Sequence, residues 1–166
     1  MEAIEVLKKR RSVRVFKDKA IARSDIEAML DAARFAPTAR NVQPWEFVVV
    51  SAKDSLARIA RLAENGRFIG SCPICVAVFC AETKYYLEDG CAATTNILNA
   101  AAALGIGSCW VAGDKKPYCE EVSRILNAPP GLKLVSLIAL GYPEDEDSFR
   151  IIDKKPLGDI VHWEKF

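Results

Sequence analysis

Residues 73–81 read PICVAVFCA, and residues 84–104 read KYYLEDGCAATTNILNAAAAL. The first stretch is almost entirely apolar, which is typical of a strand in the middle of a sheet that is covered on both faces. The second predicts a long helix that ends at Gly105 and tolerates Gly90 at a cost of about 1 kcal/mol relative to alanine. Together they predict a buried strand followed by a helix that packs on its sheet.

The segments on either side of this pair alternate between helix and strand patterns. Helices are predicted at 2–10, 24–36, 53–64 and 117–126, and strands at 45–50, 108–112 and 133–141. We expect Ile4 and Leu7 to point inward, Ser24 and Glu27 to form a capping box, and the tail 145–166 to be irregular with a short strand near its end. About four buried strands alternating with helices predict one sheet with helices on both faces.

Composition narrows the class of protein. A length of 166 residues predicts one domain over 1–166, and 51% hydrophobic with 27% charged residues excludes a largely disordered chain. With 23 Lys and Arg against 22 Asp and Glu, the net charge of +1 does not favour a nucleic-acid partner. His162 is the one histidine of the sequence, which excludes HExxH zinc sites and multi-histidine cages, so we expect no metal site.

The sequence also bears on the compartment. Glu2 and Glu5 stand where a signal peptide needs an apolar run, so no export signal is visible and we expect a cytoplasmic protein. Residues 91–113 carry no formal charge, but their threonines and asparagines are costly in hydrocarbon. We therefore expect a buried helix followed by a strand there, and no membrane span.

Six of the ten residues in 8–17, KKRRSVRVFK, are cations. A solvated surface, a nucleic-acid contact and an oxyanion or phosphate pocket are all compatible with this run. No nucleic-acid recognition motif accompanies it. Forked arginine donors together with the Ser12 hydroxyl would suit a phosphate.

Three other motifs give weaker signals. The CPIC pair at 72–75 leads into a strand, whereas a thioredoxin-type pair opens a helix, so buried cysteines that behave as small hydrophobes are favoured over redox or metal use. The glycines of 105–107 follow a helix and precede a strand, which is the reverse of the dinucleotide-binding order. His162 has no accompanying nucleophile motif.

Residues 36–45, APTARNVQPW, carry the most informative loop. Two prolines rigidify it between a helix and a strand, and Trp45 can anchor it in the core. Thr38, Asn41 and Gln43 present hydroxyl and amide groups, which suit a planar heterocycle with both donors and acceptors. A purely structural loop is the alternative.

Five segments in this order and spacing resemble the FMN-dependent nitroreductase family over nearly the whole chain. They are RRSVRVF at 10–16, APTARNVQPWEFVVV at 36–50, NILNAAAALGIGSCWVAG at 96–113, IALGYP at 138–143 and KKPLGDIVHW at 154–163. The resemblance implies an α+β fold with three α/β/α layers, a mixed central sheet and helices on both faces. It also implies an intertwined homodimer with two FMN molecules at its interface.

The resemblance assigns cofactor-binding residues in four groups. The phosphate and ribityl end would be held by Arg10, Arg11, Ser12, Arg14, Lys154 and Lys155. The flavin in the other subunit's pocket would be met by Pro37, Thr38, Ala39, Asn41 and Gln43. The pyrimidine edge would lie near Asn65 and Arg67, and the ring would pass Trp110, Val111, Ala112 and Gly113, where a backbone N–H is aimed at N5.

The implied activity is the reduction of FMN by NADH or NADPH, followed by the reduction of a nitroaromatic, a quinone or a related small acceptor in a ping-pong mechanism. Several larger relatives have an acidic residue where this chain has Ala112, so any role of that carboxylate is absent, and no catalytic side chain is assigned. The alternatives are a flavin-binding electron carrier, or a specialised flavoenzyme for flavin reduction, dehalogenation or metabolite dehydrogenation.

Overall fold

Four strands form one sheet in the computed structural model, which describes residues 2–166. They are β1 (Trp45–Val50), β2 (Ile74–Ala81), β3 (Gly107–Ala112) and β4 (Leu132–Gly141). The order across the sheet is β1-β2-β4-β3, so β2 and β4 are central and β1 and β3 are the outer strands. Residues 74–80 are all buried, as their uninterrupted apolar run predicts for a strand covered on both faces.

Helices cover both faces of this sheet. They are α1 (Ala3–Lys9), α2 (Arg23–Arg34), α3 (Lys53–Leu62), α4 (Tyr86–Ala103) and α5 (Cys119–Ile125). One core lies between one face of the sheet and the helices α2 and α4, and Met29 and Ile97 are buried in it. The other lies between the sheet and α3 with α5, where Ile59 and Val122 are buried. The predicted α+β class with helices on both faces is confirmed.

The pairing of the strands differs from the expected mixed sheet. The three strand pairs within the described residues are all antiparallel. The parallel pairing found in residues 2–166 is an isolated bridge between Ser12 and Ser108. An apolar run shows that a strand is covered, but it carries no information about the direction of the strand's neighbours.

Three local expectations are wrong. Helix α2 begins at Arg23 without a side-chain cap, and Glu27 accepts a hydrogen bond from Arg23 Nε at 2.7 Å, so Ser24 and Glu27 form no capping box. In α1, Ile4 is 64% exposed and Leu7 is 54% exposed. Over 142–166, the described tail contains short 3-10 turns but no strand, and every residue of 150–166 is exposed.

The first turn of α4 lies against the central strands. A Cβ at Gly90 would be 2.7 Å from a Val135 methyl group and 2.9 Å from the Cys80 sulfur, so only glycine permits this approach. One turn later, the Thr94 hydroxyl lies 2.8 Å from the Ser136 hydroxyl. These contacts fix the beginning of α4 at one end of the sheet. Among the described residues, no helix has both the length and the apolar character that a bilayer crossing requires.

Candidate functional site

The cationic segment runs along the outer edge of β3. Val13 N donates to the Ser108 carbonyl at 2.9 Å, and the Val13 side chain is buried against Gly107. Because Val13 points inward, its exposed neighbours Ser12 and Arg14 point away from the core. Extended backbone alternates side chains in this way, so the edge of β3 presents Ser12 and Arg14 to solvent.

A cavity of about 530 Å³ opens beside this segment; we call it the arginine cavity. Its cations are Arg11, Arg14 and Arg150, and its acids are Glu144, Asp145 and Asp147. The five ion pairs among the described side chains include none of these arginines. The Nε of Arg11 is buried and has no hydrogen-bond partner among the described residues, so a donor there is available to an oxyanion.

A second cavity of about 360 Å³, the strand-edge cavity, lies beside the outer edge of β3. It joins three segments that are far apart in the sequence, since Arg14, Asn65 and Trp110–Ala112 all line it. Arg14 also lines the arginine cavity, so the two cavities adjoin at this side chain. Five of the predicted cofactor-binding residues are therefore brought together in the strand-edge cavity.

The hydrogen-bond ladder of β3 selects which backbone groups face outward. Gly113 N donates to the Val135 carbonyl at 3.0 Å, and Ala112 pairs in register with Ser136. Antiparallel ladders alternate inward and outward groups, so the N–H groups of Trp110 and Ala112 face away from β4. The Ala112 carbonyl accepts a hydrogen bond from the Tyr118 hydroxyl. The outward N–H groups of Trp110 and Ala112 thus remain for a ligand, whereas the N–H of Gly113 is used within the sheet.

Several predicted residues lie outside both cavities. Arg67 is exposed in the 3-10 segment Glu64–Ser71, Gly113 is buried, and Arg10 is half-buried with its carbonyl accepting a hydrogen bond from Arg11. Lys154 and Lys155 are exposed in the tail, where the lining of the arginine cavity ends at Ile152. One chain therefore does not bring these lysines to the arginines.

Sequence reasoning missed several polar residues of the two cavities, among them two cations and a tyrosine. Arg150 lines the arginine cavity, and Lys116 and Tyr118 line the strand-edge cavity. The polar run DKKPY directly after the predicted strand was an available signal for the last two. No pattern around Arg150 distinguishes it from a solvated cation.

The predicted flavin loop, residues 37–43, lies away from both cavities. It precedes β1, whereas Ala112 ends β3, and these two outer strands are separated by three strand spacings, or about 14 Å. The loop instead lines a third cavity of about 210 Å³, formed by Ala39, Arg40 and Val42 with residues 83–85 and Asp89. A loop placed in this way is compatible with a role in another subunit's pocket.

A buried carboxylate that the sequence analysis missed, that of Asp89, holds this loop. Asp89 is 5% exposed; its Oδ2 accepts from the Thr38 hydroxyl at 2.8 Å and its Oδ1 accepts from Ala39 N at 3.1 Å. The Thr38 oxygen in turn accepts from Gln43 N at 3.1 Å. The available signal was an aspartate placed directly before Gly90 on the buried face of a helix rich in small residues.

All six cysteines are free, and four of them are buried, namely Cys72, Cys75, Cys80 and Cys109. Burial raises the pKa of the Cys72 thiol to about 11 and that of Cys80 to about 12, and it also raises the pKa of Cys75. The Cys72 thiol donates to the carbonyls of Ile69 and Ile74. In residues 2–166, no group of three or more His, Cys, Asp or Glu side chains is placed to hold a metal ion. These thiols are therefore protonated and unreactive at neutral pH.

We expect an aromatic disulfide reagent at about pH 8 to leave Cys72, Cys75 and Cys80 unmodified in the native protein. The half-buried Cys91 and Cys119 should react first, and all six should react after unfolding. Mass spectrometry of peptides from a time course measures this order. Because the pKa of Cys72 is raised, its modification should become faster only as the pH approaches about 11. Rapid native modification of Cys72 or Cys75 would instead indicate a reactive pair.

Comparison with known proteins gives three findings. The Nitroreductase family model matches residues 7–67 and 81–142. A protein of Archaeoglobus fulgidus, provisionally named NADH dehydrogenase/NAD(P)H nitroreductase, is 35% identical over an alignment of 173 positions, gaps included, which covers 99% of each chain. The solved FMN-dependent nitroreductase of Clostridium difficile R20291 superimposes with a TM-score of 0.89 at 26% identity, covering 98% of this chain and 99% of that chain.

A further relative has a more specialised name. The iodotyrosine deiodinase of Thermotoga neapolitana is 27% identical over an alignment of 167 positions, gaps included, which covers 85% of this chain and 88% of that protein. The family match and the Archaeoglobus relative together confirm the resemblance drawn from the five sequence segments. Since the family match spans most of the chain, the chain belongs to the nitroreductase family of oxidoreductases.

Proposed function

We propose that this chain binds FMN along the two adjoining cavities and uses NADH or NADPH to reduce a nitroaromatic, a quinone or a related small acceptor. The observation that carries the proposal is the position of Arg14, which lines both the arginine cavity and the strand-edge cavity. An elongated ligand with an anionic end and a heterocyclic end matches two such adjoining sites. The name of the Clostridium difficile relative supports FMN as that ligand.

The residues present fit the two ends of FMN. A phosphate of nearly two negative charges suits Arg11, whose buried Nε lacks a partner among the described residues, together with Ser12 and Arg14. The heterocycle suits the Asn65 amide and the outward N–H of Ala112. Glu144, Asp145 and Asp147 also line the arginine cavity. A phosphate can therefore bind there only if it lies closer to the arginines than to these carboxylates.

The other predicted residues line neither cavity in one chain, and we propose that they complete the site in a homodimer. We assign Arg10, Lys154 and Lys155 to the phosphate, and Arg67 to the pyrimidine edge. The loop residues Pro37, Thr38, Ala39, Asn41 and Gln43 would meet the flavin of a second copy of this chain. A homodimer is therefore part of the proposal, since the loop and the two cavities lie on opposite edges of one sheet.

When bound, FMN supplies the hydride and electron chemistry, and the protein orients it. The Arg14 and Lys116 side chains that line the strand-edge cavity stabilise negative charge there. The outward N–H of Ala112 would be available to a nitrogen of the bound heterocycle. Burial raises the pKa of Tyr118, so that this hydroxyl stays neutral and remains on the Ala112 carbonyl. Because position 112 carries only an exposed methyl group, we assign no acid–base side chain to it.

The visible spectrum of the purified protein, followed anaerobically after addition of NADH or NADPH, tests the proposal. We expect a flavin band that bleaches with at least one nucleotide and returns when a nitroaromatic or a quinone is added. Protein that lacks a flavin band even after incubation with FMN would contradict cofactor binding. A flavin band that neither nucleotide bleaches would contradict the use of NAD(P)H and favour an electron carrier.

The Thermotoga relative favours a second candidate function, which is reductive dehalogenation of an aromatic substrate. The two functions share the flavin and differ in the acceptor. Chemically reduced protein should transfer two electrons to a halogenated phenol, which takes up a proton from solvent and releases halide, only if this second function applies. A halide assay beside a nitroreduction assay separates the two. A cytoplasmic location and the absence of a nucleic-acid partner stay predictions from the sequence.

A further inference from the structure

Asp89 is a carboxylate in an unusual place. It lies in the first turn of α4 and is 5% exposed, yet none of the five ion pairs among the described side chains includes it. A buried charge without a cation needs hydrogen bonds, and a helix N-terminus also favours a negative charge. The hydrogen bonds that satisfy Asp89 all come from one element, the loop 37–43.

These hydrogen bonds form a short chain through the loop. Asp89 accepts one bond from the Thr38 hydroxyl and one from Ala39 N, so both carboxylate oxygens are engaged. The Thr38 oxygen also accepts from Gln43 N, which links the two ends of the loop. The carboxylate thus fixes the start of the loop directly and its end through Thr38.

The loop needs such a hold because its backbone is strained. Arg40, Asn41 and Gln43 have φ values of 55°, 56° and 52°, in the left-handed region that residues other than glycine rarely adopt. Strained conformations persist only when the surrounding structure over-determines them, and they cluster at ligand sites. Asn41 and Gln43 are two of the side chains assigned to the flavin.

The other side of Asp89 is rigid. Its neighbour Gly90 touches Val135 and Cys80 on the central strands, and Thr94 lies within hydrogen-bond distance of Ser136. The first turn of α4 therefore cannot move without disturbing the sheet. A short hydrogen-bonded link between a fixed helix and a strained loop transmits the position of the helix to the loop.

We propose that Asp89 is the positioning residue that holds Asn41 and Gln43 in the conformation that meets FMN. This inference rests on the proposed function, because it assigns a purpose to a loop that is expected to contact the flavin. Asp89 itself does not touch the cofactor in this proposal and acts through Thr38 and Ala39. Its removal should alter the flavin's surroundings while it leaves the core intact.

The main variant is Asp89→Asn, with Glu88→Gln as its matched control. Both remove one negative charge from the first turn of α4, but Glu88 is exposed and makes no bond to the loop. In D89N the amide NH₂ cannot accept from the Thr38 hydroxyl, so the bond to Thr38 is lost or reversed, and neither loop bond has a charged acceptor any longer. We expect FMN to bind about tenfold or more weakly to D89N, and the affinity of E88Q to match the wild type.

A second variant, Thr38→Val, reaches the same link from the loop and leaves α4 unchanged. It removes both the donor to Asp89 and the acceptor of Gln43 N. We expect T38V to weaken FMN binding in the same direction as D89N, and the double variant to add little. Coupling of this kind identifies a shared link, since independent sites have additive effects.

Two readouts separate positioning from a general loss of stability. At saturating FMN, the visible circular dichroism of the flavin should change in D89N and T38V but not in E88Q. Without FMN, trypsin should cleave after the exposed Arg40 several-fold faster in D89N than in E88Q, because the loop is released. Rescue of both readouts by Asp89→Glu would also support the role, since a carboxylate is then retained.

The outcomes distinguish this inference from the proposed function. Wild-type protein that does not bind FMN would overturn the proposed function and this inference with it. Wild-type protein that binds FMN, with D89N and T38V unchanged in affinity, flavin dichroism and trypsin cleavage, would overturn only the role of Asp89.

Discussion

Replacing Arg11 with alanine is expected to weaken FMN binding about 100-fold, and replacing Arg14 is expected to weaken it about tenfold. A hydrogen bond to a charged partner contributes about 1.5–3 kcal/mol, and every 1.4 kcal/mol or so is a factor of ten in affinity. Arg11 should lie at the upper end because its Nε is buried and unpartnered in the described chain. Arg14 is exposed, so solvent and salt screen its charge. Titration of flavin fluorescence at low and high salt measures both effects.

The control for this pair is Arg58→Ala, which removes an exposed arginine on α3 that lines neither cavity. Its FMN affinity should equal that of the wild type. Wild-type affinity in both R11A and R14A would exclude the phosphate assignment. The same assay compares Arg150→Ala with the double variant Lys154→Ala and Lys155→Ala, and so decides whether the arginine within the cavity or the lysines of the tail complete the phosphate site.

Much of the fold could be predicted because the deciding signals are local and strong. The apolar run over 73–81 predicted a strand with two covered faces, and β2 is buried along Ile74–Cys80. The long helix before Gly105 was also predicted, and Gly105 adopts a φ of 72° directly after α4 ends. In both cases the signal lies in the residue types themselves: apolar side chains favour burial, and glycine permits a positive φ.

The local predictions that are wrong concern burial and helix capping, which depend on neighbours that the local pattern does not specify. Ile4 and Leu7 have the spacing of a buried helix face, but in a single chain nothing covers them. Ser24 suits a cap, yet α2 begins one residue before it and Asp25 N bonds to the Ala22 carbonyl. A local pattern identifies a surface that is able to be buried, and it does not identify what buries it.

For the candidate site, too, some residues could be predicted from local segments and others depend on distant contacts. Arg14, Asn65 and Trp110–Ala112 were found by resemblance and do line one cavity. Asp89 was missed because its partner Thr38 is 51 positions away, and no pattern in α4 reports that distance. Residues that contact a ligand belong to recognisable segments, whereas residues that support those segments are found only when the chain is folded.

Removal of residues 151–166 is expected to convert the proposed homodimer to a monomer and to abolish FMN binding. All sixteen residues are exposed in one chain, among them Ile151, Leu157, Trp163 and Phe166. Burial of a large apolar side chain contributes about 1.5–3 kcal/mol. If even three of them are buried against a partner, their loss weakens the dimer by a factor of about 1,000 or more.

The truncated chain should still fold, because neither core cluster contains a residue beyond Tyr142. Sedimentation over a range of concentrations measures the change in mass, and near-ultraviolet circular dichroism verifies the packed core. Trp163→Ala should weaken the dimer, whereas Lys165→Ala, in the same exposed tail, should not. FMN binding should follow the dimer, since the loop 37–43 and the strand-edge cavity lie on opposite edges of one sheet and must come from two copies. A truncated monomer that keeps its FMN would show that one chain completes the site, and the assignment of the loop to a partner's flavin would then be wrong.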